Sequence, residues 1–193
     1  MARRKQEFRP DVRRVDWAGK LLPTPRQWKQ IIKWTLFSLV CLIGLLVQDA
    51  VMPRFKDMGI TTDLAACCIL AVSIMQGAHS GCIFTLCAAA LYYFSGSAPG
   101  PYCIFFLTVI GVLGGMFRQN FLRKGFITLF LCVVAALVVY EMSLFGVGLL
   151  LGHTTVARVG VFLLTALMSS VAVVLLYPIF VSIGKIGGEV WNE

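Results

Sequence analysis

Charged side chains are scarce in this sequence. Of its 193 residues, 13% are Asp, Glu, Lys or Arg, whereas 59% are apolar. A typical water-soluble domain carries about 25% charged residues, so the composition excludes an ordinary soluble protein. Long runs with almost no charge follow one another from Trp34 to Ile183. Such runs predict a bundle of membrane-spanning helices.

Sequence patterns typical of enzymes are missing as well. There is no H-E-x-x-H segment, no phosphate-binding glycine loop and no Ser, His and acid in the order of a known hydrolase. The only two histidines, His79 and His153, fall in expected loops. The seven cysteines lie mostly within apolar runs and lack the spacing of a metal site. We therefore expect no enzymatic activity, no metal and no other cofactor.

Positive charge is concentrated at the N-terminus. Ten of the 17 Lys and Arg residues precede the first long apolar run, and a second cluster follows the fourth run. By the positive-inside rule, both clusters predict the cytoplasmic side. A basic tail beside a membrane span is usually a topology signal that also contacts anionic lipid, so we expect membrane lipids rather than nucleic acid as its partner. The predicted lipid and topology residues are Arg3, Arg4, Lys5, Arg13, Arg14, Arg118, Arg123 and Lys124.

The succession of runs and loops predicts an all-α membrane protein with six transmembrane helices and both termini in the cytoplasm. Residues 1–30 would form a basic cytoplasmic or interfacial segment, residues 31–184 the transmembrane domain, and residues 185–193 a cytoplasmic tail. The second and third runs are short for full spans, so a tight hairpin is expected there. The expected spans cover residues 31–52, 60–77, 80–94, 102–117, 126–151 and 158–182.

Polar side chains in or beside the apolar runs are the candidate functional residues. Glu141 falls within the fifth run, where insertion of a charge costs about 2.5–3.5 kcal/mol. Its expected depth matches that of Gln48 and Asp49 at the end of the first run. Together with Asp63 and Tyr92, these residues predict an outward-facing pocket or a partner contact. The alternative is a protonated Glu141 that only packs against neighbouring helices, and the sequence leaves both open.

Small residues recur at helical spacing. Gly111 and Gly115 lie four residues apart in the fourth run, and Gly148 and Gly152 have the same spacing at the end of the fifth. Glycines so placed allow two helix backbones to approach closely. We predict helix-packing surfaces at both pairs, with docking of another protein as the alternative use.

A set of short segments resembles a known family. The layout between residues 40 and 182 is similar to that of the rod shape-determining protein MreD, as in a divergent member of that family. The segments that carry the resemblance are Val47-Gln48, Met52-Pro53, residues 59–64 (GITTDL), Gly77, Gly81 and residues 98–100 (APG).

The resemblance implies a function. It implies a multi-pass scaffold in the bacterial plasma (inner) membrane, without enzymatic activity, that belongs to the cell-shape machinery, or elongasome. Its partner would be the single-span protein MreC and, indirectly, MreB, RodA and a penicillin-binding protein, in support of lateral peptidoglycan synthesis.

A second function follows from the same comparison. The MreD bundle is similar to the substrate-binding (S) subunits of energy-coupling-factor vitamin transporters, which bind a vitamin in an outward-facing pocket. In this chain Glu141, Gln48 and Tyr92 would form such a pocket. A third possibility, a proton-coupled carrier, would also use Glu141.

Overall fold

The computed structural model describes residues 25–51, 62–122 and 125–188. Within these ranges the chain forms helices joined by turns, without any strand, which confirms the all-α expectation. A short 3₁₀ turn, Val156–Arg158, leads into the last helix. The helices are α1 (Pro25–Val51), α2 (Leu64–Gln76), α3 (Ala78–Phe94), α4 (Tyr102–Phe121), α5 (Phe126–Leu150) and α6 (Val159–Ile186).

Four of these helices, α1, α4, α5 and α6, are long and apolar enough to cross a membrane. The other two are shorter, with 13 residues in α2 and 17 in α3. Large apolar side chains cover the outside of the bundle, and Leu91, Leu131 and Leu175 are each more than half exposed. An apolar outer surface of this kind suits hydrocarbon rather than water. The described residues therefore form a helical bundle of the membrane type.

The helix bounds differ from the sequence expectation at several ends, and α4 and α6 each extend four residues beyond the expected 117 and 182. α1 begins at Pro25, at a first-turn position where proline is tolerated, so the expected boundary after residue 30 falls inside this helix. α2 begins only at Leu64 because Asp63 caps it. The expected loop at residues 95–101 separates α3 from α4 as predicted, and α5 agrees with the expected span 126–151 to within one residue.

The short helix α2 lies at the centre of the bundle and contacts all five other helices. Every residue from Ala65 to Met75 is buried. A helix that is apolar on all sides is typical of a fully enclosed position. Its many small side chains, such as Ala66, Cys67 and Ala71, let the neighbouring helices approach closely. α2 is therefore the axis around which the other helices pack.

The connection from α2 to α3 consists of one residue, Gly77. Its φ of 85° lies in the left-handed region, which residues with a side chain rarely adopt. A Cβ at this position would also lie 1.8 Å from Nε2 of Gln119. Glycine thus allows α3 to start at Ala78, directly after the end of α2.

Close backbone contacts join α2, α3 and α4 near this turn. A Cβ on Gly81 would lie 2.6 Å from the carbonyl oxygen of Ser73, and a Cβ on Gly111 would lie 2.7 Å from the Oγ of Ser73. A Cβ on Gly115 would lie 3.0 Å from the carbonyl carbon of Gly77. We call these residues, Ser73, Gly77, Gly81, Gly111 and Gly115, the glycine crossing. Two of them are the pair Gly111 and Gly115 that the sequence singled out.

The second predicted glycine pair lies differently. Gly152 follows the end of α5 with a φ of 72°, and no atom of the described residues lies within 4 Å of where its Cβ would be. The carbonyl of Gly148 accepts hydrogen bonds from the backbone N–H groups of His153 and Thr154, at 2.8 and 3.2 Å. Gly148 thus lies in the last turn of α5 and Gly152 just beyond its end, so the two do not lie on one helix face, and their use in helix packing stays a prediction.

Candidate functional site

The most connected group of polar side chains lies where α2 begins. It consists of Gln48 on α1, Asp63 before α2, Tyr92 on α3 and Ser169 on α6, and we call it the polar junction. Asp63, Tyr92 and Ser169 are buried and Gln48 is half-buried. Three of the four were candidate residues from sequence. Hydrogen bonds among them join four helical segments that are far apart in the chain.

Asp63 is the centre of the polar junction. Its Oδ1 accepts a hydrogen bond from the backbone N–H of Ala66 at 3.0 Å, the usual geometry of an N-cap. Its Oδ2 accepts a second hydrogen bond from the Tyr92 hydroxyl, also at 3.0 Å. A carboxylate at a helix N-terminus is further favoured by the helix dipole. Asp63 thus both starts α2 and attaches it to α3.

Gln48 connects α1 to the same point. Its Oε1 accepts a hydrogen bond from the backbone N–H of Ala65 at 2.7 Å. Its Nε2 lies 3.4 Å from the Tyr92 hydroxyl oxygen and donates to it. The hydroxyl of Tyr92 therefore accepts from Gln48 while it donates to Asp63. Such a chain of hydrogen bonds is cooperative, because each bond polarises the next.

Ser169 was not among the residues identified from the sequence. Its Oγ accepts a hydrogen bond from the backbone N–H of Asp63 at 2.7 Å and donates one to the carbonyl of Thr165 in its own helix, also at 2.7 Å. The only available sequence signal was the pair Ser169-Ser170 inside an otherwise apolar run. Serines in membrane helices commonly bond their own backbone, so this signal is weak.

The polar junction provides hydrogen-bond acceptors for buried backbone N–H groups at the start of α2. The first N–H groups of any helix lack partners within the helix, and α2 begins inside the bundle, where a buried unpaired N–H costs about 1–3 kcal/mol. Ser169, Gln48 and Asp63 accept from three backbone donors at the start of α2, those of residues 63, 65 and 66. The side chains of the polar junction are thus engaged with each other and with the start of α2.

Glu141 and Tyr140 lie close to the polar junction on α5. Both are buried, and their helix packs against α2. Among the described residues, the hydroxyl of Tyr140 has no hydrogen-bond partner. Buried polar groups usually find partners. Tyr140 on α5 is therefore a buried polar side chain whose hydroxyl lacks a partner within the described part of the chain.

Asp49 lies outside the polar junction although it is adjacent to Gln48. Its side chain is exposed, and its Oδ1 accepts a hydrogen bond from the hydroxyl of Ser97 in the loop after α3. The structure thus separates the five candidate residues into three groups. Gln48, Asp63 and Tyr92 are joined to one another, Glu141 is buried on α5 outside this hydrogen-bonded group, and Asp49 belongs to a different contact.

The predicted topology cations are described only in part. Arg118, in the last turn of α4, is buried at 5% exposure rather than extended towards headgroups. The other seven lie outside the described residues. They are Arg3, Arg4, Lys5, Arg13, Arg14, Arg123 and Lys124. Within the ranges that the structure describes, no three His, Cys, Asp or Glu side chains are grouped as metal ligands would be.

Comparisons with protein-family models, with curated proteins and with solved structures found no match. The geometry of the site and the sequence are therefore what support any function.

Proposed function

We propose that this protein is a scaffold without enzymatic activity in the bacterial plasma membrane, with six spans and both termini in the cytoplasm. It would belong to the cell-shape machinery and bind MreC, and through MreC it would support MreB, RodA and a penicillin-binding protein in lateral peptidoglycan synthesis. The specific partners come from the resemblance of residues 40–182 to the MreD family. The short helices α2 and α3 would be the two thin spans of the hairpin.

One observation favours a scaffold over a ligand-binding protein. A small-molecule site needs a concave pocket with a few convergent polar groups that are free to meet the ligand. Gln48 and Tyr92, two of the three residues expected to line such a pocket, bond instead to Asp63 and to the start of α2. The polar atoms of these two side chains thus hold the helices of the bundle together. A rigid bundle of this kind is suited to holding a partner by its outer surface.

A crosslinked pull-down tests this proposal. The tagged protein would be crosslinked in its native membranes, purified, and its bound proteins identified by mass spectrometry. We expect a single-span protein with a coiled-coil extracytoplasmic part, or cell-wall synthases. Glu141→Gln should recover the same proteins, because the scaffold does not need the charge of this buried acid.

The vitamin-binding S subunit is the second candidate, and the Tyr140 hydroxyl on α5, unpaired among the described residues and next in sequence to the buried Glu141, favours it. The Tyr140 hydroxyl and the Glu141 carboxyl could bind a polar ligand that enters beside the polar junction. In that case the pull-down would recover a membrane coupling subunit with paired ATPases, and Glu141→Gln would abolish ligand binding. Either result would contradict the scaffold.

A further inference from the structure

α1 and α3 separate along the middle of the bundle and leave a groove of about 660 Å³ between them. Leu39, Leu42 and Leu46 of α1 form one wall, and Ala88 and Leu91 of α3 form the other. The floor is the central helix, where Ile69 is buried. The mouth of this α1–α3 groove opens on the outer, apolar surface of the bundle.

The α1–α3 groove is closed at both ends. At one end the rings of Trp34 on α1 and Phe84 on α3 contact each other with centroids 5.7 Å apart. At the other end Gln48 bonds to Tyr92, and Asp49 bonds to Ser97. The two helices thus meet above and below the opening. An occupant has to enter sideways, from the membrane.

The length of the groove argues for the kind of occupant. Its wall on α1 extends from Thr35 to Leu46, which is about 16 Å at 1.5 Å per residue. Half of a bilayer's hydrocarbon core is about 15 Å thick. A partner's transmembrane helix would continue through both leaflets and is about 10–12 Å wide, so it does not fit between two closed ends. A single acyl chain of a lipid in one leaflet fits between these two ends.

The lining and the rim indicate which lipid. Nearly all of the lining is apolar, and the hydroxyls of Thr35 and Ser95 already donate to backbone carbonyls of their own segments. Thr35 and Ser38 lie towards the Trp34 end of the groove, whereas the other end carries the exposed acid Asp49, bonded to Ser97. The exposed carboxylate of Asp49 favours a headgroup that carries a cation and disfavours one with net negative charge.

We propose that the α1–α3 groove binds one acyl chain of a phospholipid whose headgroup carries an amine, such as phosphatidylethanolamine, with the amine beside Asp49. Protein atoms surround the chain on three sides, so it makes more dispersion contacts than a chain on the open surface of the bundle. The bound lipid completes the packing between α1 and α3. This inference is independent of the scaffold proposal.

Native mass spectrometry of the full chain tests the site. The protein would be released from nanodiscs that contain equal amounts of phosphatidylethanolamine and phosphatidylglycerol. We expect one retained phosphatidylethanolamine per chain. Leu42→Trp fills the groove and should lower this retention about tenfold. Leu131→Trp is the matched control, because Leu131 is a similarly exposed leucine on α5, and it should leave retention unchanged. Size-exclusion profiles would verify that both variants fold.

Two further measurements sharpen the test. Asp49→Asn should reduce the preference for phosphatidylethanolamine over phosphatidylglycerol while a chain is still bound. Equal lipid retention by Leu42→Trp and Leu131→Trp would overturn the proposal. A crosslinking experiment gives a second way to overturn it. In a Cys82→Ser, Cys132→Ser variant in native membranes, the exposed Cys87 of the groove would be treated with a short thiol crosslinker. A crosslink to another polypeptide or to a second copy of this chain would contradict a lipid in the groove.

Discussion

The two ends of α2 are held in different ways. At its start, the polar junction accepts hydrogen bonds from the backbone and joins α1, α3 and α6 to the first turn of α2. At its end, the glycine crossing brings α3 and α4 within contact of the α2 backbone because side chains are absent. The start of α2 therefore depends on particular polar side chains, and its end depends on glycines that carry no Cβ. The two ends should respond to different kinds of substitution.

The largest effect is expected at the glycine crossing. In Gly81→Ala the new Cβ would lie 2.6 Å from a backbone oxygen of α2. α2 and α3 would have to move apart, at a cost of about 3 kcal/mol in the free energy of unfolding. Unfolding by SDS in mixed micelles would measure this cost.

Gly146→Ala on α5 is the matched control for that substitution. Its Cβ would have no neighbour within 4 Å in the described part of the chain, and alanine should stabilise the helix by about 0.5–1 kcal/mol. Equal effects of the two substitutions would contradict the close contact at Gly81.

The next largest effect is expected from Asp63→Ala at the other end of α2. It removes the N-cap and leaves the Ala66 N–H and the Tyr92 hydroxyl without their acceptor, for a loss of about 2–3 kcal/mol in the free energy of unfolding. Asp49→Ala should cost less than about 1 kcal/mol, since Asp49 is exposed. The same SDS titration compares the two acids, and a similar loss from both would mean that Asp63 is not the centre of the junction.

A pair of adjacent serines provides a finer comparison. Ser169→Ala deprives the buried N–H of Asp63 of its acceptor and should cost about 1–2 kcal/mol. Ser170→Ala should change stability by less than about 0.5 kcal/mol, because the Ser170 hydroxyl bonds only the carbonyl of Leu167 in its own helix. Thermal unfolding of both variants in one detergent would distinguish them. A larger loss of stability from Ser170→Ala than from Ser169→Ala would contradict the contact between Ser169 and the N–H of Asp63.

The smallest expected effects come from two buried tyrosines. Tyr92→Phe removes the hydroxyl that bonds Asp63 and should lower stability by about 1 kcal/mol. Tyr140→Phe removes a hydroxyl that has no partner among the described residues and should be neutral or slightly stabilising. If a ligand normally bonds Tyr140, this second substitution should instead weaken the binding of that ligand. Thermal unfolding with and without added vitamins would reveal such a change.

The sequence predicted the parts of the fold that depend on local signals. Apolar runs and the loop at residues 95–101 gave the helices their approximate bounds, and the cost of an acid in hydrocarbon directed attention to Glu141. The central position of α2 could not be predicted, because hydropathy shows that a segment is apolar but not which neighbours enclose it. Six spans and the orientation of the termini stay predictions.

The candidate site was predicted in its members but not in its connections. Gln48, Asp63 and Tyr92 were identified because polar residues beside apolar runs are unusual, yet their hydrogen bonds join segments up to 44 residues apart. Ser169 is 106 residues from Asp63, and nothing local distinguishes it from other helical serines. Gly152 shows the limit of such local patterns, since four-residue spacing implies a shared helix face only where the helix continues.

The central claim is that the hydrogen bond between Asp63 and Tyr92 stabilises the bundle, and that these two side chains do not bind a ligand. A double-mutant cycle in ligand-free protein tests it most directly, with Asp63→Ala, Tyr92→Phe and the double variant compared by SDS unfolding. We predict a coupling energy of about 1 kcal/mol, typical of side chains in direct contact. Additive effects of the two substitutions would contradict this account, because they would mean that neither residue depends on the other for the stability of the fold.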